Sequence, residues 1–444
     1  MSAPLAFAIV GHPNEGKSSI VATLAMDDRI GISETPGETT RIQRFDLKAG
    51  DDTVLEFVDT PGFQNPQATL AWFKANEHLG PDIIPRFLEA HAGDDEFHHD
   101  RELLTPVSEG AGIIYVVDAS RPITGIDLAE MEILRLSARP RMAIINSKTT
   151  ETRFLDSWKN AFRQSFNSVR SFNANSAGYL DRIELLEALK SIDQDWTAQL
   201  AHAVELVKLD RKRAIERSAD AIIEHLGISL SCQCSALLAT DSGMELEKQK
   251  LEKQYRAKLS RSEKRFRGTI NQLFQLNRVR IDLPDQSIIN SDLFSEKTWQ
   301  VLGLTSKQLA IAGALLGAGI GAGADALASG LTFGIFTSIG AAMGAGSAIW
   351  KGKDLARAKI KRLPIGGLKI TVGPNQSPQF PFVLIDRDLL YARFASNWAH
   401  ARRDSTHFID TDSDKSGPTS TWAQADLKLA TRFIKSLGKP TSEA

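Results

Sequence analysis

The chain has 444 residues, 42% of them hydrophobic and 24% charged. That is enough for about two to four domains, each with its own core, and it excludes a chain unable to fold. A formal net charge of −1 excludes a global pull toward nucleic acid or anionic membrane, so any such attraction must sit in a local patch.

Leu5 to Gly11 is a continuous apolar run of strand length with no basic region ahead of it, so a strand is expected rather than a signal peptide. Gly11 to Ser19 then reads GHPNEGKSS and leads into a helical pattern, which is the strand, glycine loop, helix context that G-x-x-x-x-G-K-S requires. Gly11 and Gly16 let the backbone turn its N–H groups toward phosphate oxygens, with His12, Pro13, Asn14 and Glu15 forming the loop between them. Lys17 bridges the β and γ phosphates, Ser18 ligates magnesium, and Ser19 continues the helix start. The polar stretch Glu34 to Arg41 carries Thr39 and Thr40 where a switch closes a hydroxyl onto magnesium. Two threonines leave the register open, with Thr40 favoured for the metal. Thr53 to Phe63 is a second strand ending in D-x-x-G, where Asp59 suits magnesium and the Gly62 N–H suits the γ-phosphate.

From Gln64 to Gly110 the link to the next strand is longer than a simple βα unit needs, and it is a place where a protein partner would sense the nucleotide state. His91, His98, His99 and Asp100 lie within it, and without a converging spacing they are expected on a solvated acidic loop rather than around a metal. Further strands are expected at Ile113 to Ser120, Met142 to Ser147 and Ser168 to Ala174. Five or six strands in βα alternation make an α/β P-loop nucleotide-hydrolase domain with a doubly wound, mostly parallel sheet.

These residues resemble a family. GHPNEGKSS, PGETTR and DTPG are similar to the TrmE, Era and EngA branch of the translation-factor-class GTPases, over roughly the first 190 residues. The resemblance implies GTP and GDP as ligands and magnesium-dependent hydrolysis by in-line attack of water, supported by Lys17, Thr40 and Gly62. It also implies a potassium ion at Asn14, with Thr39 as its neighbour, and it matches Phe63 to the hydrophobic residue that follows D-x-x-G in that branch. The guanine motif N-K-x-D departs from the family: Asn146 is present, but no aspartate follows three residues later, and Glu151, in another register, is only the less favoured substitute. Ser176 and Ala177 resemble the S-A guanine loop, and GTP is expected over ATP.

After the closing helix Gly178 to Ile192, apolar residues recur at three and four, so long helices are expected from Trp196 to about Leu226 and from Met244 to about Leu276. Cys232 and Cys234, the only cysteines, lie in the more apolar link between them and fit a reduced, cytosolic setting. The second helix is basic, which by default is a solvated face, with anionic lipid or RNA as alternative partners; RNA is the less expected because no exposed aromatics accompany it.

Between Lys307 and Lys351 the only charged residue is Asp325. The apolar blocks on either side have about 16 and 25 residues, or about 24 and 37 Å as helices, against a bilayer core of about 30 Å. A glycine-rich membrane hairpin is therefore expected over 303–352, with cations at its ends on the cytoplasmic side of a cell membrane; a hairpin buried in a soluble helical domain, or one that swaps between the two, is the alternative. Its small-xxx-small repeats suit helix pairing within the hairpin or in a homo-oligomer. Leu368 to Val372 is expected to form a β-hairpin with Phe382 to Ile385, followed by a helix from Leu389 to Arg403 and a polar tail. The expected organisation is a nucleotide domain at 1–192, a helical region at 193–302, the hairpin at 303–352 and a small α+β element at 353–444. The leading expectation is a membrane-associated GTPase switch. A soluble GTPase of ribosome or tRNA maturation and a dynamin-like membrane remodeller are the alternatives.

Overall fold

Strands alternate with helices through the first half of the chain. In order they are β1 (Leu5–Val10), α1 (Lys17–Ala25), β2 (Gln43–Ala49), β3 (Asp52–Asp59), α2 (Pro66–Ala75), α3 (Ile83–Ala90), α4 (His98–Ser108), β4 (Gly112–Val117), α5 (Gly125–Leu136), β5 (Arg141–Asn146), α6 (Leu155–Ser165), β6 (Ser168–Phe172) and α7 (Tyr179–Leu189). The computed structural model describes residues 4–26, 41–146, 153–174, 176–240, 242–276, 288–316, 358–362, 368–397 and 416–437. The strands form a six-stranded sheet in the order β2-β3-β1-β4-β5-β6. All its pairings are parallel except that of β2 with β3.

Each central strand feeds two cores because its side chains alternate across the sheet. Phe7 and Ile9 of β1 pack on one face with Leu55, Ile114, Leu186 and Val204. Ala8 and Val10 pack on the other with Phe73, Phe87, Tyr115 and Trp158. Covering both faces is what lets runs such as GIIYVV of β4 be buried at every position. The strand β2 was not expected from the sequence, since QRFDLKA is largely exposed at the sheet edge and buries only Leu47. Because β1 pairs with β3 on one side and β4 on the other, the chain leaves β1 at the crevice where the strand order reverses.

The link from Gln64 to Gly110 contains α2, α3 and α4, and the stretch His91 to Asp100 is exposed at Ala92, Gly93, Asp95 and Glu96, as expected of a solvated loop, but is anchored at its ends. His91 lies against Phe87 and Phe97, with ring centroids at 4.7 and 4.1 Å. Asp100 is fully buried. Burial of these aromatics stabilises the packing by about 1.5–3 kcal/mol each, which outweighs the polar look of the stretch.

The remaining elements are α8 (Thr197–Ser231), β7 (Cys234–Leu238), α9 (Met244–Leu273), α10 (Glu296–Val301), α11 (Ser306–Leu316), β8 (Ala358–Arg362), β9 (Leu368–Val372), α12 (Phe380–Ser396) and α13 (Gln424–Leu437). Two compact units divide within α8, one built mainly of Met1–Ile215 and the other mainly of Glu216–Phe274 and Arg280–Ala395. In the second unit β9 pairs antiparallel with β7 and with β8. Phe382 to Ile385 does not form a strand with Leu368 to Val372, as had been expected, but lies inside α12. A short apolar run is ambiguous between buried strand and buried helix, and here charged partners decide it. Asp386 accepts from the Gly303 and Thr419 amides at 2.6 and 2.7 Å. Arg387 donates to Glu263 at 2.7 Å, and Asp388 meets His225 at 2.8 Å.

The hairpin expected over 303–352 is not supported. No helix among the described residues is long and apolar enough to cross a membrane. The start of the first block instead belongs to α11, which packs against α13. Gln308 Nε2 donates to the Thr419 and Ser420 carbonyls at 3.2 Å each, and Lys435 Nζ to the Leu315 carbonyl at 3.4 Å. The rest of the expected hairpin, from 317 to 352, lies outside the described residues.

Candidate functional site

The glycine loop connects β1 to α1. Gly11 has φ 144° and Gly16 φ 95°, and a side chain at Gly11 would collide with the Val116 carbonyl of β4. Backbone that tight leaves room only for glycine. The loop residues His12, Pro13 and Asn14 are partly or fully exposed, and Asn14 adopts the left-handed conformation at φ 66°. Lys17 is buried, and its Nζ donates to the Gly11 and His12 carbonyls at 2.9 and 3.0 Å. Gly62 closes the crevice from β3, where a Cβ would lie 3.0 Å from Pro13 Cδ and 3.3 Å from Gly11 O.

Ser18 Oγ donates to Asp59 Oδ2 at 2.7 Å, so residues 41 positions apart in sequence meet beside the loop. A hydroxyl and a carboxylate side by side are hard oxygen donors, which is the chemistry magnesium takes. The donor set therefore fits that ion. Thr60, next to Asp59, donates to the Ile9 carbonyl at 2.7 Å and locks the end of β3 onto β1. Phe63 is buried among Phe73, Phe87 and Phe97 and contributes packing at this position.

The sequence reading missed a polar brace under the loop. Arg121 Nε donates to Glu15 Oε1 at 2.8 Å while its two η nitrogens each reach Asp127 at 2.8 Å. Glu15 also accepts from the Asp118 amide, and Arg121 stacks over Trp158 at 5.3 Å. The guanidinium is thus clamped between the loop and α5 in the bidentate geometry that arginine favours. One signal was legible: Thr124 and Asp127 form a capping box at the start of α5.

Beside this brace His12 sits between two carboxyl groups, with Nε2 3.4 Å from Asp127 and Nδ1 3.6 Å from Glu130. Burial pushes the His12 pKa down, with Arg121 and Lys17 adding to the effect and Asp127 opposing it. For Asp127, burial acts upward, but the hydrogen bonds from Arg121 and Thr124 hold the carboxyl below its ordinary value. Burial pushes Glu130 up to about 8, against the hydrogen bond from Tyr115 at 2.7 Å. The potential ligand atoms of His12, Asp127 and Glu130 all lie within 4.8 Å of one another. Even so, Arg121 already occupies both Asp127 oxygens, and a neighbouring guanidinium opposes a second cation. A proton on Glu130 is the better account of the cluster.

Asn146 is buried and acts as a bridge. Its Nδ2 donates to the Glu15 carbonyl at 3.0 Å, and its Oδ1 accepts from the Ala174 amide at 3.3 Å. Ala177 is buried and Ser176 exposed in the turn after β6, where both amides donate to the Asn173 carbonyl, at 2.9 and 3.2 Å. Ser19 Oγ lies at the start of α1, and the Ser19 carbonyl accepts from Thr23 at 2.8 Å. Thr39, Thr40 and Glu151 lie outside the described residues.

The helical insert grips the chain on both sides of the crevice. Asp100 Oδ2 accepts from the Gln64 and Asn65 amides at 3.0 and 3.1 Å, and Oδ1 accepts from Thr69 at 2.9 Å. Glu102, on the same helix, accepts from the Ile42 amide at 3.2 Å.

Comparison with known proteins gives two family matches. Residues 159–443 match the family described as "Domain of unknown function (DUF3482)", and residues 6–147 match that described as "50S ribosome-binding GTPase". A probable GTP-binding protein EngB of Neisseria gonorrhoeae is 29% identical over 141 residues, 31% of this chain and 54% of that protein. The EngB of Dechloromonas aromatica is 29% identical over 188 residues, 41% of this chain and 70% of its own length. The chain thus spans about half the length of the curated relatives it matches first, 54% for the gonococcal protein. A solved structure of Era in complex with MgGDPNP and a segment of 16S ribosomal RNA covers 62% of this chain and 90% of its own, at 14% identity and a TM-score of 0.28. That overlap is too loose to inform the site.

Proposed function

Since the chain belongs to the family described as "Domain of unknown function (DUF3482)" and begins with a translation-factor-class P-loop GTPase domain, we propose that it is a magnesium-dependent GTP hydrolase whose nucleotide state acts through its C-terminal region. The observation that carries this reading is the meeting of Ser18 and Asp59 at 2.7 Å beside a loop that already holds Lys17. Ser18 and Asp59 would hold magnesium, which when bound neutralises phosphate charge. Lys17 supplies a fixed cation to the β and γ phosphates, and the loop amides and the Gly62 N–H supply donors to oxygens that gain charge during transfer. Phe63 is buried and carries no group that can orient water, so the attacking water is positioned by the backbone or by a residue of the preceding loop.

Potassium at Asn14 and a preference for GTP over ATP are finer parts of the same proposal. Phosphate release is measured with each nucleotide, in potassium and in sodium. Turnover of GTP at least tenfold above ATP is expected, with stimulation by potassium. Equal use of both nucleotides overturns the guanine preference, and indifference to potassium removes the role given to Asn14.

Attachment to the cytoplasmic face of a cell membrane also belongs to the proposal. Its support is the basic helix α9. Fractionation tests it: recovery of full-length protein in the supernatant at low salt would end this placement.

A further inference from the structure

The nine lysines and arginines of α9 do not form one uniform basic face. Arg267 turns inward to Glu263 at 2.6 Å and to the Ile289 carbonyl at 2.7 Å. Arg256 lies over Phe294 at 4.7 Å. Lys248 and Lys250 lie near Glu245 and Glu247, at 3.6 and 3.5 Å. Of the other five, Lys253, Lys258, Arg261, Lys264 and Arg265, three are spaced along one helix face: Lys258, Arg261 and Arg265. Together with the end of α8 they line a groove of about 490 Å³.

The groove is built for an anion. Lys258 is steadied by the Gln233 carbonyl at 3.3 Å, and Arg261 Nε by the Ala257 carbonyl at 3.3 Å. Among the described residues no carboxylate pairs with Lys258 or Arg261. Arg265 meets Glu224 at 3.1 Å, but both side chains are mostly exposed, and such pairs contribute little. Ser262 adds a hydroxyl to the wall.

What borders the cations selects the source of the anion. Ile228 is 44% exposed in the groove wall. The lining residues include no aromatic ring on which a base would stack. Cations beside an exposed aliphatic side chain match a bilayer surface, where phosphate lies next to acyl chain. We propose that this groove binds the phosphate headgroups of an anionic bilayer, with Lys258, Arg261 and Arg265 on the phosphates and Ile228 entering the headgroup layer. This deepens the membrane placement above and is independent of hydrolysis.

The test is co-sedimentation of the full-length protein with vesicles of phosphatidylglycerol and phosphatidylcholine, with phosphatidylcholine vesicles alone, and with poly(U) as the RNA arm. The triple variant Lys258→Gln, Arg261→Gln, Arg265→Gln is compared with a control of equal charge loss, Lys248→Gln, Lys250→Gln, Lys253→Gln. Each cation near an anionic surface is worth roughly a factor of five, so the groove variant is expected to lose on the order of 100-fold in partitioning. The control should stay within about threefold of the wild type if the groove, rather than summed charge, is what binds. Circular dichroism checks that both variants fold. Equal losses in the two variants overturn the proposal, as does wild-type binding to poly(U) but not to the acidic vesicles. If wild-type protein fractionates with membranes in cells yet ignores acidic vesicles, the groove is overturned and the membrane placement stands.

Discussion

Lys17 is buried, and two loop carbonyls at 2.9 and 3.0 Å replace the water its ammonium loses. Lys17→Ala removes the one fixed cation of the loop, and GTP turnover is expected to fall by about 10²–10³-fold in a phosphate-release assay. Glu130 makes a pH prediction whose sign is fixed. Burial raises its folded pKa to about 8 from an ordinary 4.5, so the fold favours the protonated acid. That stabilisation is complete below the unfolded value and is lost as pH rises through the folded one. Glu130→Gln keeps an acceptor for Tyr115 without the ionisation. Paired melts should therefore show the wild type losing stability relative to this variant between about pH 5 and 8.5, by a few kcal/mol. Equal slopes would mean that Glu130 does not hold its proton. The loop residues at this scale were legible because each motif position has one chemical task. Arg121 and Glu130 were not, since their partners lie on other elements and no local spacing announces them.

At the scale of elements, α4 is held to the chain on either side of β3 through Asp100 and Glu102. Asp100→Ala leaves the Gln64 and Asn65 amides and the Thr69 hydroxyl without their acceptor, so a loss of about 2–4 kcal/mol is expected in urea unfolding. Hydrogen exchange should show lost protection at Gln64 and Asn65 while the amides of β4 and β5 stay protected. Unchanged exchange at those two amides would mean that α4 does not hold the segment after Gly62. Periodicity announced α8 and α9, which carry long, regular apolar repeats. It failed for α12, whose first turn is apolar on every side, and for β2, whose edge position needs little apolar surface.

For the whole molecule, a ligand that binds only the folded first unit stabilises it by mass action. At 100 times its dissociation constant, GDP with magnesium should add about 2.7 kcal/mol. The gain should be read as a raised melting midpoint and as extra exchange protection in α1 and at the end of β3, and its absence in Asp59→Ala would tie it to the metal site. By itself the sequence determined the nucleotide loop, the parallel sheet behind it and the two long helices, because glycine geometry and hydrophobic period act within a few residues of the chain. Tertiary structure alone decided that Ser18 meets Asp59, that Arg121 braces the loop and that Asp386, Arg387 and Asp388 fix α12 as a helix. It also set Arg267 of α9 inward and Lys258, Arg261 and Arg265 along the groove. Each of these depends on which distant groups share a buried or bordering space, and burial makes a partner obligatory without saying where in the chain it will be found.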